Sequence, residues 1–174
     1  MTKFYFVRHG EADMREAYTK IYQDWGFNML TLSKKGIEQI KKTAKDERLK
    51  EGKLIITSPF GRALHTASIL SKELGVDLKV ETALHEWNPD RDYKFLSNED
   101  AINSFKEFYL NRGERNDKCK YNWEDINDIK ERINGVLDKY KDYDCVIVVT
   151  HGVNMQCFLE KSDIDNGQIE VKYE

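Results

Sequence analysis

Two segments of this chain share one pattern: an apolar run, then a histidine, then a glycine. Phe4-Tyr5-Phe6-Val7 leads into Arg8-His9-Gly10-Glu11, and Val146-Ile147-Val148-Val149 leads into Thr150-His151-Gly152. A short apolar run reads as a buried strand. Two such strands near opposite ends of one small domain fit a parallel α/β sheet, where the carboxyl ends of the strands share an edge and ligands bind along it. His9 and His151 would then face each other across one site. Each is followed by a glycine, which lets backbone N–H groups come close to an anion.

The rest of the chain fits that frame. Strands are expected at 3–8, 53–57, 77–81, 145–150 and 168–173. Helical spacing recurs between them: Ile37, Ile40 and Ala44; Ala63, Ala67, Leu70 and Leu74; Ile126, Ile129, Ile133, Leu137 and Tyr140. Met14, Tyr18, Ile21 and Trp25 predict a further helix just past the first motif, and Ser33 and Ser58 stand where N-caps would. Strands alternating with helices predict a three-layer α/β/α sandwich with a mostly parallel sheet. Segment 168–173 alternates polar and apolar residues, as an antiparallel edge strand does, and such an edge could pair with a second copy, so monomer and homodimer are both open. Residues 88–123 are polar and aromatic, with a helix expected around 98–110, and read as an insertion over the site. The whole chain, 1–174, reads as one domain.

Composition narrows the function. No apolar run approaches the ~20 residues of a membrane span, and no secretory signal is evident at the first strand. Cys119, Cys145 and Cys157 are odd in number and widely spaced, which suits reduced thiols and a cytoplasmic setting. A net charge of −3 gives a nucleic-acid partner no electrostatic support. A substrate anion must therefore be attracted by local cations.

Those cations stand beside the histidines. A neutral imidazole is a good nucleophile toward phosphorus, and cations near His9 would hold its pKa down and keep it neutral. Arg8 can clamp a phosphoryl group through its guanidinium fork. In Thr57-Ser58-Pro59-Phe60-Gly61-Arg62-Ala63 a strand ends, Pro59 begins a helix and Arg62 falls in the first turn, where the helix N-terminus also favours an anion. His65, one turn on, reads as a packing or surface residue. Glu86, in Leu84-His85-Glu86-Trp87, can protonate a leaving oxygen and later activate water, with Trp87 desolvating it and raising its pKa. Asp90 and Asp92 are alternatives for that role. Glu11 is another, although its position favours a salt bridge with a site arginine. His151 can donate to phosphoryl oxygens, and Gly152 leaves room beside it. Metal binding competes as a reading of two histidines and a carboxylate, but no His-x-His or His-Glu-x-x-His spacing is present and the arginines would repel a cation.

Arg8-His9-Gly10-Glu11, Ser58-Pro59-x-x-Arg62-Ala63, Glu86 and His151-Gly152 together resemble the histidine phosphatase superfamily, the phosphoglycerate mutase-like proteins, over residues 3 to about 158. Trp123-Glu124 and the helix of Arg132 also look like the stretch that precedes the second histidine in that family. The resemblance implies a phosphohistidine intermediate on His9, a phosphate pocket of Arg8, Arg62 and His151, Glu86 as proton donor, and no metal or organic cofactor. The mutase branch carries Ser, Trp and Asn shortly after its Arg-His-Gly, where this chain has Ala12, Asp13 and Met14, and Glu86 is followed by Trp87-Asn88-Pro89-Asp90 instead of a glycine-containing stretch. The first departure, together with the greater length usual in mutases, favours a phosphatase, read here as metal-independent and acting on a phosphorylated small molecule; the second leaves Glu86 and a neighbouring Asp both open as the proton donor. A phosphoglycerate mutase-type phosphotransferase, a phosphoprotein (phosphohistidine) phosphatase and a non-catalytic phosphate-binding module are the alternatives.

Overall fold

The computed structural model describes residues 1–17, 19, 24–94 and 97–174. Its strands are β1 (Lys3–Arg8), β2 (Leu54–Thr57), β3 (Leu78–Val80), β4 (Cys145–Thr150) and β5 (Ile169–Tyr173). Its α-helices are α1 (Lys34–Thr43), α2 (Gly61–Leu74), α3 (Asn98–Leu110), α4 (Ile126–Leu137) and α5 (Gly152–Leu159). Expected and observed strands agree to within a residue at each end. The helix expected from Met14, Tyr18, Ile21 and Trp25 falls partly outside the described residues; the described part is a turn at 15–17 and a 3-10 helix, Asp24–Met29.

The sheet order is β3-β2-β4-β1-β5. β1, β2, β3 and β4 are mutually parallel, and β5 lies antiparallel on β1. Side chains alternate across a strand, and here the alternation divides the core in two. Phe4, Phe6, Leu54, Ile56, Val146 and Val148 pack on one face with Ile129 and Ile133 of α4 and Phe158 of α5. Tyr5, Val7, Ile55, Ile147 and Val149 pack on the other with Ile40 of α1 and Ala67 and Leu70 of α2. All six residues of β4 are buried, as expected of a central parallel strand covered on both faces. The result is an α/β/α sandwich.

Local chemistry sets the helix ends. Ser33 caps α1, its Oγ accepting the Gly36 N–H at 3.0 Å, and Lys41 and Lys42 occupy the last turn, where cations are favoured. Asp125 and Asp128 form a capping box on α4. Gly75 ends α2 in the left-handed region, φ 68°.

The chain runs from β1 past the place of β4 to β2 and β3, then returns to lay β4 between β2 and β1. The ends of β1, β4 and β2 therefore converge. The His9 N–H donates to the Thr150 carbonyl at 3.1 Å and the Ser58 N–H to the Val149 carbonyl at 3.0 Å. Helices α2 and α5 both begin at this edge. On the α4–α5 side, α3 leans on α5 through Tyr109, whose hydroxyl donates to Gln156 Oε1 at 3.3 Å, and Trp87, Phe108 and Trp123 pack ring to ring beneath it.

Candidate active site

His9 leaves β1 and turns under α1. A Cβ on Gly10 would lie 2.7 Å from the Gly36 carbonyl oxygen, a contact that backbone cannot relieve, so only glycine lets the chain pass α1 here. The His9 side chain is bound to its own turn: Nδ1 lies 2.7 Å from the Gly10 carbonyl oxygen. A carbonyl only accepts, so Nδ1 carries the proton and Nε2 the lone pair. The Nε of Arg62 sits 3.2 Å from that Nε2. His9 is buried, 7% exposed. Burial, then the positive charges of Arg62 and Arg8, lower its pKa from 6.5 to about 3, against the upward pull of the Gly10 carbonyl.

His151, the N-cap of α5, is fully buried. Its ring centroid is 5.1 Å from that of His9, edge to face. Its Nε2 lies 2.8 Å from Ser58 Oγ, and its Nδ1 has no partner among the described residues. Burial, followed by Arg62, lowers its pKa well below 6.5, so it too is neutral. Phe60 packs against His151 at 5.4 Å and under the Arg62 guanidinium at 5.4 Å.

Arg8 donates through Nη1 to the Ile164 carbonyl, while its buried Nε has no partner among the described residues. Its guanidinium lies against Gly152, where a Cβ would come within 3.2 Å of Nε. The glycine after the second histidine thus makes space for the arginine before the first.

Glu86 is half-buried. Its Oε1 accepts the Trp87 N–H at 2.9 Å. Burial raises its pKa above the usual carboxylate range; the N–H groups of Trp87 and Val153 and the charges of Arg62 and Arg132 oppose that rise without cancelling it. A carboxyl group so placed holds its proton more readily than an ordinary glutamate.

The structure brings Arg8, His9, Arg62, Glu86, His151 and Gly152 to one place. The alternative carboxylates are occupied elsewhere. Asp90 accepts from the Asp92 N–H and from Asn122 Nδ2, and Asp92 is exposed and paired with Lys94. Glu11 pairs with Lys35 at 2.7 Å and accepts from the Ser33 hydroxyl at 2.8 Å, not with a site arginine as expected, because α1 presents its N-terminus to it. His65 accepts the Leu32 N–H, a packing role. Ser58 is not an N-cap. Helix α2 begins at Gly61, two residues beyond Pro59, with Phe60 as its cap, and Ser58 turns its hydroxyl to His151 instead. Among the described residues, no three His, Cys, Asp or Glu side chains gather as a metal site, and no helix is long and apolar enough to cross a membrane.

Sequence reasoning missed Ser58, Phe60 and Asn154 as parts of the site. Asn154 is fully buried in α5, its Nδ2 donating to the His85 carbonyl at 2.6 Å. Its spacing of one turn after His151 was the available signal.

Comparison with known proteins places the fold. The family model of the histidine phosphatase superfamily (branch 1) matches residues 4–167. The structure is similar to a mycobacterial glucosyl-3-phosphoglycerate phosphatase complexed with VO3, with a TM-score of 0.70 and 18% identity, covering 98% of this chain and 90% of that one. It is similar to a phosphoglycerate mutase from Bacillus anthracis, with a TM-score of 0.68 and 19% identity over 98% and 86% of the two chains. It is also similar to YhfR from Bacillus stearothermophilus, with a TM-score of 0.67 and 21% identity over 98% and 90%. Among curated proteins, none matches.

Proposed function

The chain belongs to branch 1 of the histidine phosphatase superfamily, and from that premise we propose that it is a metal-independent phosphomonoesterase working through a phosphohistidine on His9. One observation carries this reading above the others. His9 is neutral, its proton is fixed on Nδ1, and its Nε2 lone pair accepts the Arg62 Nε–H at 3.2 Å, with Arg8 and His151 close by. That is a nucleophile set inside a cationic pocket.

In the proposed reaction His9 Nε2 attacks phosphorus in line, and the bond from phosphorus to the leaving oxygen breaks. Arg8, Arg62 and His151 stabilise the equatorial oxygens. The Ser58 hydroxyl accepts the Phe60 N–H at 3.2 Å and lies 2.8 Å from His151 Nε2; in the proposed arrangement it gives its own hydrogen to that nitrogen, which leaves Nδ1–H as a donor. Helices α2 and α5 add their N-terminal dipoles. Protonated Glu86 gives its proton to the departing alkoxide, and the resulting carboxylate removes a proton from water. That water attacks phosphohistidine, the P–N bond breaks, and phosphate leaves with neutral His9 and protonated Glu86 restored.

The site supports hydrolysis over mutase chemistry because Ala12, Asp13 and Met14 replace the polar and aromatic residues of the mutase branch, and Asp13 is engaged with Arg15 at the surface. A small-molecule phosphomonoester in a cytoplasmic setting is the proposed substrate. The test is a turnover screen over sugar phosphates, nucleotides, phosphoglycerates and phosphopeptides, with and without chelator, together with acid-quenched labelling. Expected are phosphate release without a diphosphate primer, no effect of chelator, and an acid-labile, base-stable phosphate on His9. Turnover that requires a diphosphate primer would make the protein a mutase. Activity abolished by chelator and restored by a divalent cation would overturn metal independence, and a folded protein inert on the whole panel would overturn the enzyme reading.

A further inference from the structure

Glu86 lies on a short connection that follows a single 3-10 turn, Thr82–Leu84, yet a general acid must stand within hydrogen-bond reach of the leaving oxygen. The backbone on both sides of Glu86 is tied down by three side chains from outside that connection: Asn154 and Glu124, which are buried, and Arg132, which is partly exposed. Asn154 Nδ2 donates to the Leu84 carbonyl at 3.2 Å, the His85 carbonyl at 2.6 Å and Thr150 Oγ1 at 2.9 Å. Its Oδ1 accepts from Arg132 Nη2 at 2.7 Å. The amide can face only this way, since arginine only donates and carbonyls only accept. Arg132 also donates to the Ala83 carbonyl at 2.6 Å and closes a two-point ion pair with Glu124. Glu124 then takes the far side of the connection: its Oε2 accepts the Asn88 N–H at 3.1 Å and its carbonyl accepts the Trp87 indole N–H at 2.8 Å.

We propose that Asn154, braced by the Arg132–Glu124 ion pair, is a positioning residue that holds the 83–88 connection so that Glu86 reaches the leaving oxygen. The inference rests on the reading of Glu86 as proton donor. Asn154 does not touch the phosphoryl pocket in this role. Its loss should reproduce the Glu86 defect and spare phosphate binding.

The experiment measures single-turnover phosphorylation of His9 by an alkyl phosphate and by an activated aryl phosphate. Asn154→Ala should lose roughly 10- to 100-fold on the alkyl substrate, the scale of a misplaced catalytic group, and no more than about threefold on the aryl substrate, whose leaving group needs little protonation. Vanadate affinity should stay within about threefold, and in Glu86→Gln, Asn154→Ala should add no further loss on the alkyl substrate, since residues acting as one unit are non-additive. Equal losses on both substrates, losses that multiply in the double variant, or weakened vanadate binding would overturn the positioning role. Glu86→Gln alone tests the donor reading separately. If it shows no leaving-group selectivity, that reading falls. If it is selective and Asn154→Ala is not, only the positioning role falls. Should Asn154→Ala fail to fold, Thr150→Val removes the hydroxyl shared by Asn154 and the Leu84 carbonyl. It is judged by the same selectivity criterion, with about three- to tenfold expected on the alkyl substrate.

Discussion

His9 and His151 arise from the same sequence unit, a buried strand followed by His-Gly, and stand 5.1 Å apart, yet their ring nitrogens are used in opposite ways. His9 donates through Nδ1 to the Gly10 carbonyl and keeps a lone pair on Nε2. His151 is held at Nε2 by Ser58 and keeps Nδ1 without a partner among the described residues. The motif delivers an imidazole to the edge of the sheet. In the proposed mechanism the next polar neighbour decides whether that imidazole attacks or donates. For His9 the neighbour is a carbonyl one residue away; for His151 it is a hydroxyl from the residue just past β2.

The comparison breaks most sharply at His9. His9→Ala should lose about 10⁴-fold or more in kcat, as removal of a nucleophile does, and should carry no acid-labile phosphate after an acid quench. His151→Ala should lose about 10²- to 10³-fold, the usual scale for one preorganised donor. It should still form phosphohistidine, with weaker inhibition by vanadate. Rapid-quench labelling of both variants decides the roles. Phosphate trapped on His151 in a folded His9→Ala protein would reverse them.

The part of this contrast that was legible in the sequence is the part set by periodicity and by punctuation between elements. Apolar runs bounded by His-Gly placed β1 and β4, the alternation in 168–173 placed the antiparallel β5, and helical spacing placed α1, α2 and α4. The residues proposed for the phosphate pocket, Arg8, Arg62 and His151, could be singled out because each stands at a strand end or in a first helical turn. What was not legible depends on partners distant in sequence. Ser58 has the local look of an N-cap, but its hydroxyl goes to a residue 93 positions away. Glu11 pairs with Lys35 because a Gly10–Gly36 close approach brings the start of α1 to it. The Asn154–His85 contact spans 69 positions and leaves no periodic trace.

A smaller effect concerns pH. Folded His9 titrates at about 3 against an ordinary 6.5, and His151 is also pushed well below 6.5, in each case mainly by burial. Between the two pKa values the unfolded chain binds the proton that the folded chain refuses. Stability is therefore full above about pH 6.5 and falls as pH drops, by up to about 1.4 kcal/mol per pH unit for each histidine. For His9 that loss is complete below about pH 3. Glu86 has the opposite sign: its pKa is raised, so its contribution is present at low pH and is lost as pH rises through the folded value. Urea midpoints at pH 7.5 and pH 5 should drop more steeply for the wild type than for His151→Ala. Parallel slopes would mean that His151 carries no such penalty. In the kinetics, His9 stays unprotonated through this range, so no acid limb should be traced to it above about pH 4.

The smallest change sharpens the comparison most finely. Ser58→Ala removes neither a pocket cation nor a reacting nitrogen. It removes the hydroxyl that, in the proposed arrangement, fixes the His151 proton on Nδ1. Without it, His151 Nε2 is buried with no acceptor or donor opposite, which costs about 1–3 kcal/mol of stability, and the ring is free to carry its hydrogen on either nitrogen. Only the Nδ1–H form can donate to the phosphoryl oxygen, so kcat should fall by roughly tenfold, less than the loss in His151→Ala. Because Ser58 acts through His151, Ser58→Ala should cost almost nothing further in a His151→Ala background. His9 labelling should be unchanged, since the Nδ1 of His9 is held by the Gly10 carbonyl and not by a side chain. Losses that multiply in the double variant would show that Ser58 acts on the phosphoryl group itself. A Ser58→Ala enzyme with wild-type kcat would show that the His151 tautomer is fixed by something other than this hydroxyl.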